Sequence, residues 1–196
     1  VPSEGMKKML IKRKNIVKQY HIVGFLRTGL AKKEEKLFLN SLINTELNNV
    51  KKKIILCLPI GFANKINASV YGDIMALEKS HIYFIKSIIR LANLYKNYLF
   101  IIKSKFDNDL EYNQKLLQSK IIINKNILLL QNSPYDLIPK SDLIISKYTS
   151  VIEEILPLKK RIILIDEYKC YSNSPLFIKY INIISHNFNE TEAKFN

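Results

Sequence analysis

The chain has 196 residues, of which 47% are hydrophobic, and it holds only five glycines and six prolines. This length suits one domain with a sizeable core, and the low content of proline and glycine disfavours a disordered chain. The formal net charge of +14 suits an anionic partner such as a phosphorylated substrate, an anionic lipid surface or nucleic acid. The lysine excess accompanies heavy use of Ile and Asn, which A/T-rich codons also encode, so codon bias and solvated faces are the simpler explanation.

Targeting signals and disulfides are not expected. No apolar run approaches the ~20 residues of a membrane-spanning helix, and the basic stretch Met6–Lys18 lacks the apolar centre of a signal peptide. Cys57 in a predicted strand and Cys170 in a predicted loop suit reduced thiols. These features predict a cytoplasmic protein, with peripheral binding at the inner face of the membrane as a further expectation.

Apolar runs and helical patterns divide the chain into three parts. Residues 1–50 are predicted to be lead-in helices with one short strand at Tyr20–Phe25, and residues 187–196 a frayed polar tail. Between them, residues 51–186 alternate strands with helices, of which Leu77–Asn97 is the clearest. This order predicts an α/β fold with a doubly wound, mainly parallel sheet. Its expected strands are Ile54–Leu58, Tyr98–Ile102, Ile127–Leu130, Leu143–Ile145, Ile162–Ile165 and a last short one at Ile181–Ile184.

Two segments on the carboxyl side of the predicted strands bear on ligand binding. The loop from Pro59 to about Ala76 lacks both G-x-G-x-x-G and G-x-x-x-x-G-K-[ST], which disfavours a nicotinamide site and a P-loop. Lys103 and Lys105 follow the second strand, at the edge of a parallel sheet where ligands bind. Lysines also end strands for structural reasons alone, so both interpretations stay open.

No metal, cofactor or catalytic residue is predicted. The run Asp107–Asp109 has the D-x-D spacing with which one glycosyltransferase class holds a metal-bound sugar nucleotide. Here it precedes a helical pattern, so a helix cap is the simpler interpretation. His21, His81 and His186 are isolated from one another and from the cysteines, so they form no metal set or nucleophile–base pair.

The stretch Ser141–Asp166 has the clearest chemical signature. A buried strand, a polar corner at Ser146–Ser150, a helical pattern and a second buried strand predict a βαβ unit. A helix that begins at the carboxyl end of a parallel strand offers free N–H groups to an anion, commonly phosphate. Ser150 and Glu153 also match a capping box, which explains both structurally. Glu154 lies one residue beyond that box, and capping does not account for it.

This stretch carries a family resemblance. Residues 137–158, LIPKSDLIISKYTSVIEEILPL, resemble the carboxyl-terminal half of GT-B glycosyltransferases. They are most similar to the enzymes of bacterial capsule, teichoic-acid and surface-polysaccharide synthesis, including those that transfer glycerol phosphate from CDP-glycerol. In these families an aspartate precedes a buried strand, a Ser/Thr-rich corner follows it, and a glutamate lies early in the next helix. Asp142, Tyr148–Ser150 and Glu154 fall on those positions.

The resemblance implies that residues 51–186 are a Rossmann-like domain that binds a nucleotide-diphosphate-activated sugar or glycerol donor, linked to CDP or UDP. The donor phosphates would lie against Thr149 and Ser150, and Glu154 would accept hydrogen bonds from the ribose hydroxyls. Lys103 and Lys105 would supply the positive charge that a metal-free site needs. The activity that the resemblance implies is that of a glycosyl or glycerophosphate transferase.

Two departures and one missing part qualify this expectation. Lys159–Arg161 stands where the families usually have Gly-Lys-Pro, and Lys103–Phe106 stands where many have a Lys-Pro-His-Pro-like strand end. GT-B enzymes work between two Rossmann-like domains, and only about fifty residues precede the recognised half. The chain is therefore expected to be a fragment or half of a split enzyme that lacks the acceptor domain.

Two other functions stay open. The first is a sugar-nucleotide 2-epimerase of the same fold, although few carboxylates and histidines are placed to serve as its acids and bases. The second is a basic module that binds RNA or an anionic membrane surface. The sequence has no RRM-type aromatic strand motif and no KH loop, so nucleic acid is not an expected partner.

Overall fold

The structure is a computed structural model that describes residues 53–60, 74–104, 107–118, 126–130, 137–147, 149–155, 158–169 and 183–196. The expected strand at Tyr20–Phe25, Lys105 and Cys170 lie outside the described residues. The elements are β1 (Lys53–Leu58), α1 (Ile74–Leu94), β2 (Tyr98–Lys103), α2 (Asp107–Gln118), β3 (Ile127–Leu130), β4 (Leu143–Ser146), α3 (Ser150–Ile155), β5 (Arg161–Ile165), β6 (Ile184–Ser185) and α4 (Phe188–Phe195).

The strands form one sheet in the order β3-β2-β1-β4-β5-β6, and every neighbouring pair is parallel. Ile55 of β1 is paired with Phe100 of β2 on one side and with Leu143 of β4 on the other. The predicted Rossmann-like α/β fold is therefore confirmed. The last strand starts at Ile184, later than the predicted Ile181, and residues 181 and 182 lie outside the description.

Helices cover both faces of the sheet, which explains why the strands are apolar along their whole length. Ile55 and Cys57 point to one face, and Leu56 and Leu58 point to the other. The first face packs against α1 and α4 through Phe84, Ile88, Leu91, Phe188 and Phe195. The second packs against α3 and the segment before β4 through Leu137, Ile138, Ile152 and Ile155.

The expectation of a frayed tail is wrong, because residues 188–195 form α4. The side chain of Asn187 accepts a hydrogen bond from the backbone N–H of Glu190 and caps the helix start. Phe188 and Phe195, seven residues apart, lie on the same side of the helix and are buried in the core. Arg161 donates from Nη2 to the carbonyl oxygens of the last helical turn. Two buried aromatic residues therefore order a segment that is otherwise polar.

Among the described residues no helix is both long and apolar enough to cross a bilayer. The turn between α3 and β5 contains Lys159 with φ of 54°, which is in the left-handed region that favours glycine.

Candidate functional site

The sheet has a topological switch point between β1 and β4. After β1 the chain returns through α1 on one face, and after β4 it returns through α3 on the other. The two connections leave in opposite directions, so a crevice opens at the carboxyl ends of these strands. The strand ends are tied together, because the N–H of Lys147 and the hydroxyl of Ser146 both donate to the carbonyl oxygen of Leu58, at 3.0 and 3.3 Å.

A buried ion pair lies at the carboxyl ends of β4 and β5. The side chain of Lys147 is 1% exposed and its Nζ donates to Oε2 of Glu167, whose side chain is 11% exposed. The Nζ is also 5.9 Å from the ring centroid of Tyr83 on α1. Burial and the charge of Glu167 raise the pKa of Tyr83, so this phenol is neutral at physiological pH. The cation at the switch point is thus held and neutralised by the protein itself.

The second oxygen of Glu167 has a different environment. Its Oε1 is buried and has no hydrogen-bond partner among the described residues. A buried carboxylate oxygen without a donor costs free energy. The ion pair with Lys147 is therefore what compensates the charge of the Glu167 carboxylate in the folded protein.

A second polar network joins the ends of β1 and β2 to the helices beside them. The buried ring of His81 on α1 lies 3.2 Å from the carbonyl oxygen of Ile60 through Nδ1, and 2.7 Å from Oδ1 of Asn113 through Nε2. Asn113 in turn donates to the hydroxyl of Ser104, at 3.1 Å. A neutral imidazole donates from one nitrogen only, so both contacts need either a protonated ring or the reversed Asn113 amide. The network fixes Ile60 at the rim of the crevice.

Next to this network, a further side-chain hydrogen bond joins α1 and α2. The hydroxyl of Tyr112 donates to Oε1 of Glu78 at 2.8 Å. Burial and this hydrogen bond raise the pKa of Tyr112 to about 12. The phenol therefore stays protonated, and remains a donor, throughout the physiological range.

The histidines and acids of the described region do not form a metal centre. His186 follows β6 and lies with Nδ1 2.9 Å from the carbonyl oxygen of Asp166. The run Asp107–Asp109 forms the start of α2. Within the described ranges no three His, Cys, Asp or Glu residues are grouped so that they could hold a metal ion.

The predicted phosphate-binding residues Thr149 and Ser150 lie where α3 begins. Thr149 occupies the capping position that the sequence pattern had suggested for Ser150. Its carbonyl oxygen accepts from the N–H of Ile152 at 2.9 Å, and its Oγ1 lies 3.4 Å from the N–H of Val151. Ser150 is the first residue of α3. Both residues therefore lie on the carboxyl side of β4, directly beside the crevice.

The remaining predicted site residues are spread along the same edge. Lys103 is the last residue of β2 and is half-buried, while Lys105 is outside the described residues. β2 and β4 flank β1 on opposite sides, so Lys103 lies about 10 Å from the end of β4, which is two strand spacings. Glu154 belongs to α3, and its side chain is not described. The roles proposed for these residues stay predictions.

Lys147 and Glu167 are the site residues that the sequence reasoning missed. A signal for them exists, because Leu143, Ile145 and Lys147 alternate along one face of β4 and its extension. Ile163, Ile165 and Glu167 do the same along the neighbouring strand β5 and its extension. Two opposite charges that continue the same face of adjacent strands are expected to meet.

Several solved structures are similar to this one. The UDP-GlcNAc 2-epimerase of Neisseria meningitidis, bound to UDP-GlcNAc, has a TM-score of 0.64 and 15% sequence identity, and the match covers 100% of this chain and 50% of that chain. The S. aureus MnaA protein, solved with UDP, has a TM-score of 0.66 and 15% identity, with 99% of this chain and 49% of that chain covered. No family model and no curated protein sequence matches the chain.

At this level of identity the likeness shows the fold. Both proteins have the GT-B fold, so the chain has the Rossmann-like architecture of half a GT-B protein. It spans about half of the length of each of the two proteins.

Proposed function

We propose that the chain binds a nucleotide-diphosphate-activated sugar or glycerol donor, as the donor-binding half of a surface-polysaccharide glycosyl or glycerophosphate transferase. The main support is the switch point between β1 and β4, since sheets of this topology bind nucleotides at that place. Both similar structures were solved with a uridine nucleotide, so UDP is proposed in preference to CDP as the carrier. The acceptor would be bound by a second domain.

The donor would be held by the start of α3 together with cations along the same edge. Thr149 and Ser150 would present hydroxyl and N–H groups to the diphosphate. Lys103 and Lys105 would add positive charge from the end of β2. Lys147 is already neutralised by Glu167, so it would support the floor of the crevice. Glu154, one turn into α3, would bind the ribose hydroxyls, because its carboxylate would repel phosphate at close range.

The second candidate is a 2-epimerase that acts on a UDP-sugar. It is favoured by the fold likeness to a UDP-GlcNAc 2-epimerase over the whole of this chain. The two activities differ in their products when the chain acts together with the second domain that the proposal requires. An epimerase converts UDP-GlcNAc to its 2-epimer without an acceptor, which proton NMR detects as a new anomeric signal. A transferase leaves the configuration at C2 unchanged and releases the nucleotide only when an acceptor is present.

The test of donor binding is a calorimetric titration of the chain with UDP, CDP and GDP. We expect UDP to bind most tightly and Glu154→Gln to weaken binding about tenfold, or about 1.4 kcal/mol. The free energy of unfolding should change by no more than about 0.5 kcal/mol in this variant. Glu111→Gln, an exposed residue of α2, is the matched control and should bind UDP like the wild type. If no nucleoside diphosphate binds the wild type at millimolar concentration, the proposal fails.

A further inference from the structure

The two edges of the sheet differ in charge. The amino ends of the strands comprise the first residue of each strand and the three residues before it. Among the described residues at these positions, six are cationic and one, Asp142, is acidic. We define the amino-edge surface as these six cations: Lys53, Lys96, Lys140, Lys159, Lys160 and Arg161. In the rest of the described region Asp and Glu outnumber Lys and Arg, by ten to eight. The positive charge of the described region is therefore concentrated at one edge, which codon bias alone does not explain.

Four of these six cations lack a carboxylate partner among the described residues, while the Nζ of Lys160 donates to the carbonyl oxygens of Pro139 and Ser141. Lys53, Lys96, Lys159 and Arg161 are exposed, and none of them forms an ion pair with a described carboxylate. Asp142 is the single acid here, and its Oδ2 already accepts from the backbone N–H of Ile54 at 2.8 Å. An anionic partner would therefore meet positive charge that the described part of the protein does not neutralise.

Strand pairing arranges these cations in a row. Lys53 is paired with Tyr98 of β2, and Arg161 is paired with Leu143 of β4. The cations thus extend across the four neighbouring strands β2, β1, β4 and β5, a width of roughly 15 Å at the usual strand spacing. Such a row can contact several anionic groups of a flat surface at once.

The apolar and aromatic residues beside the row favour a lipid surface over RNA. Leu94 ends α1 two residues before Lys96, and it is 54% exposed. Exposed apolar side chains among cations are typical of proteins that bind at the membrane interface. The rings of Tyr95 and Tyr98 lie 4.5 and 5.3 Å from the ring of Phe195. These rings pack on α4 and are not presented for base stacking, on which recognition of single-stranded RNA depends.

We infer that the amino-edge surface binds an anionic lipid bilayer, with Lys and Arg at the headgroups and Leu94 inserted between them. The inference does not depend on the nature of the ligand at the opposite edge. It implies an orientation, because the crevice at the carboxyl ends of β1 and β4 then faces the aqueous phase. A water-soluble nucleotide would enter the crevice without crossing the lipid.

The test compares two charge-matched variants of the full chain in vesicle sedimentation. One carries Lys96→Glu and Lys159→Glu on the amino-edge surface. The control carries Lys79→Glu and Lys86→Glu, which are exposed on the first two thirds of α1, away from the amino-edge surface. The vesicles contain phosphatidylglycerol with phosphatidylcholine, or phosphatidylcholine alone. We expect the wild type and the control to bind the anionic vesicles with salt-sensitive affinity, and the amino-edge variant to bind at least about tenfold more weakly.

A third variant separates the lipid from other anions. Leu94→Ser leaves the charge unchanged and should weaken binding to anionic vesicles while leaving binding to heparin unchanged. Circular dichroism confirms that each variant is folded. If both charge variants lose vesicle binding to the same extent, net charge alone explains the binding. If both retain it, the binding surface lies elsewhere in the chain. Either result overturns the inference, and so does poly(U) binding that is tighter than vesicle binding and is lost in the amino-edge variant.

Discussion

At the residue scale, Lys147 shows how a side chain can be misread from its sequence context. It lies in a polar corner, SKYTS, where a lysine is normally exposed. In the structure it is buried, because β4 and β5 are neighbours and Glu167 extends the same face of the next strand. The sequence shows which residues of each strand share a face, but it does not show which strands are adjacent in the sheet. The ion pair could therefore be predicted only after the strand order was known.

Replacing Lys147 with Met should lower the free energy of unfolding by about 3 kcal/mol, because Glu167 would be left as a buried charge without a partner. Urea denaturation monitored by circular dichroism measures the change. The double variant Lys147→Met with Glu167→Leu should recover most of the loss, since an apolar pair fits a buried position. Lys86→Met on the exposed face of α1 is the control and should be nearly neutral. A loss below about 1 kcal/mol would mean that water screens the pair.

At the element scale, the buried strands were predictable and α4 was not. A strand covered on both faces is a short continuous apolar run, as KIILCL and YLFIIK are. The sequence of α4, FNETEAKF, is mostly polar, and only its two phenylalanines indicate a buried side. A short helix of this kind gains its stability from tertiary packing, which local propensity does not report.

The packing of Phe195 is expected to hold α4 on the sheet. Its ring lies 4.5 Å from that of Tyr95 and 5.9 Å from that of Phe100. Phe195→Ala should therefore cost about 3 kcal/mol of unfolding free energy, within the usual range for a buried phenylalanine. Asn189→Ala, at an exposed position of the same helix, should change it by less than about 0.5 kcal/mol. Thermal and urea unfolding of both variants check the difference, and equal effects would mean that α4 is not anchored by Phe195.

At the scale of the whole molecule, the sequence predicts which edge of the sheet binds ligand but not where along it. Parallel strands with polar residues after them predict a site at the carboxyl edge. The crevice itself depends on strand order, because β1 and β4 are neighbours and the helices that follow them lie on opposite faces. Thr149 and Ser150 lie beside it, whereas Lys103 lies one strand away on the far side of β1. The predicted site residues thus share the carboxyl edge because each of them follows or ends a parallel strand, which the sequence shows. The distances between them depend on the strand order, which the sequence does not show.

The two edges should respond to two ligands separately, and hydrogen exchange can observe both in one molecule. The strand β1 has six residues and so is about 20 Å long, which is too far for a bound nucleotide to contact the opposite edge. UDP should slow exchange after β1, β4 and β5, at Ile60, Thr149 and Glu167. Anionic vesicles should slow exchange at Lys96, Lys140 and Lys159 and leave the first group unchanged. Because neither ligand contacts the other's edge, UDP affinity should be the same with and without vesicles. A vesicle-dependent change in UDP affinity, or protection of the amino edge by UDP, would show that the edges are coupled.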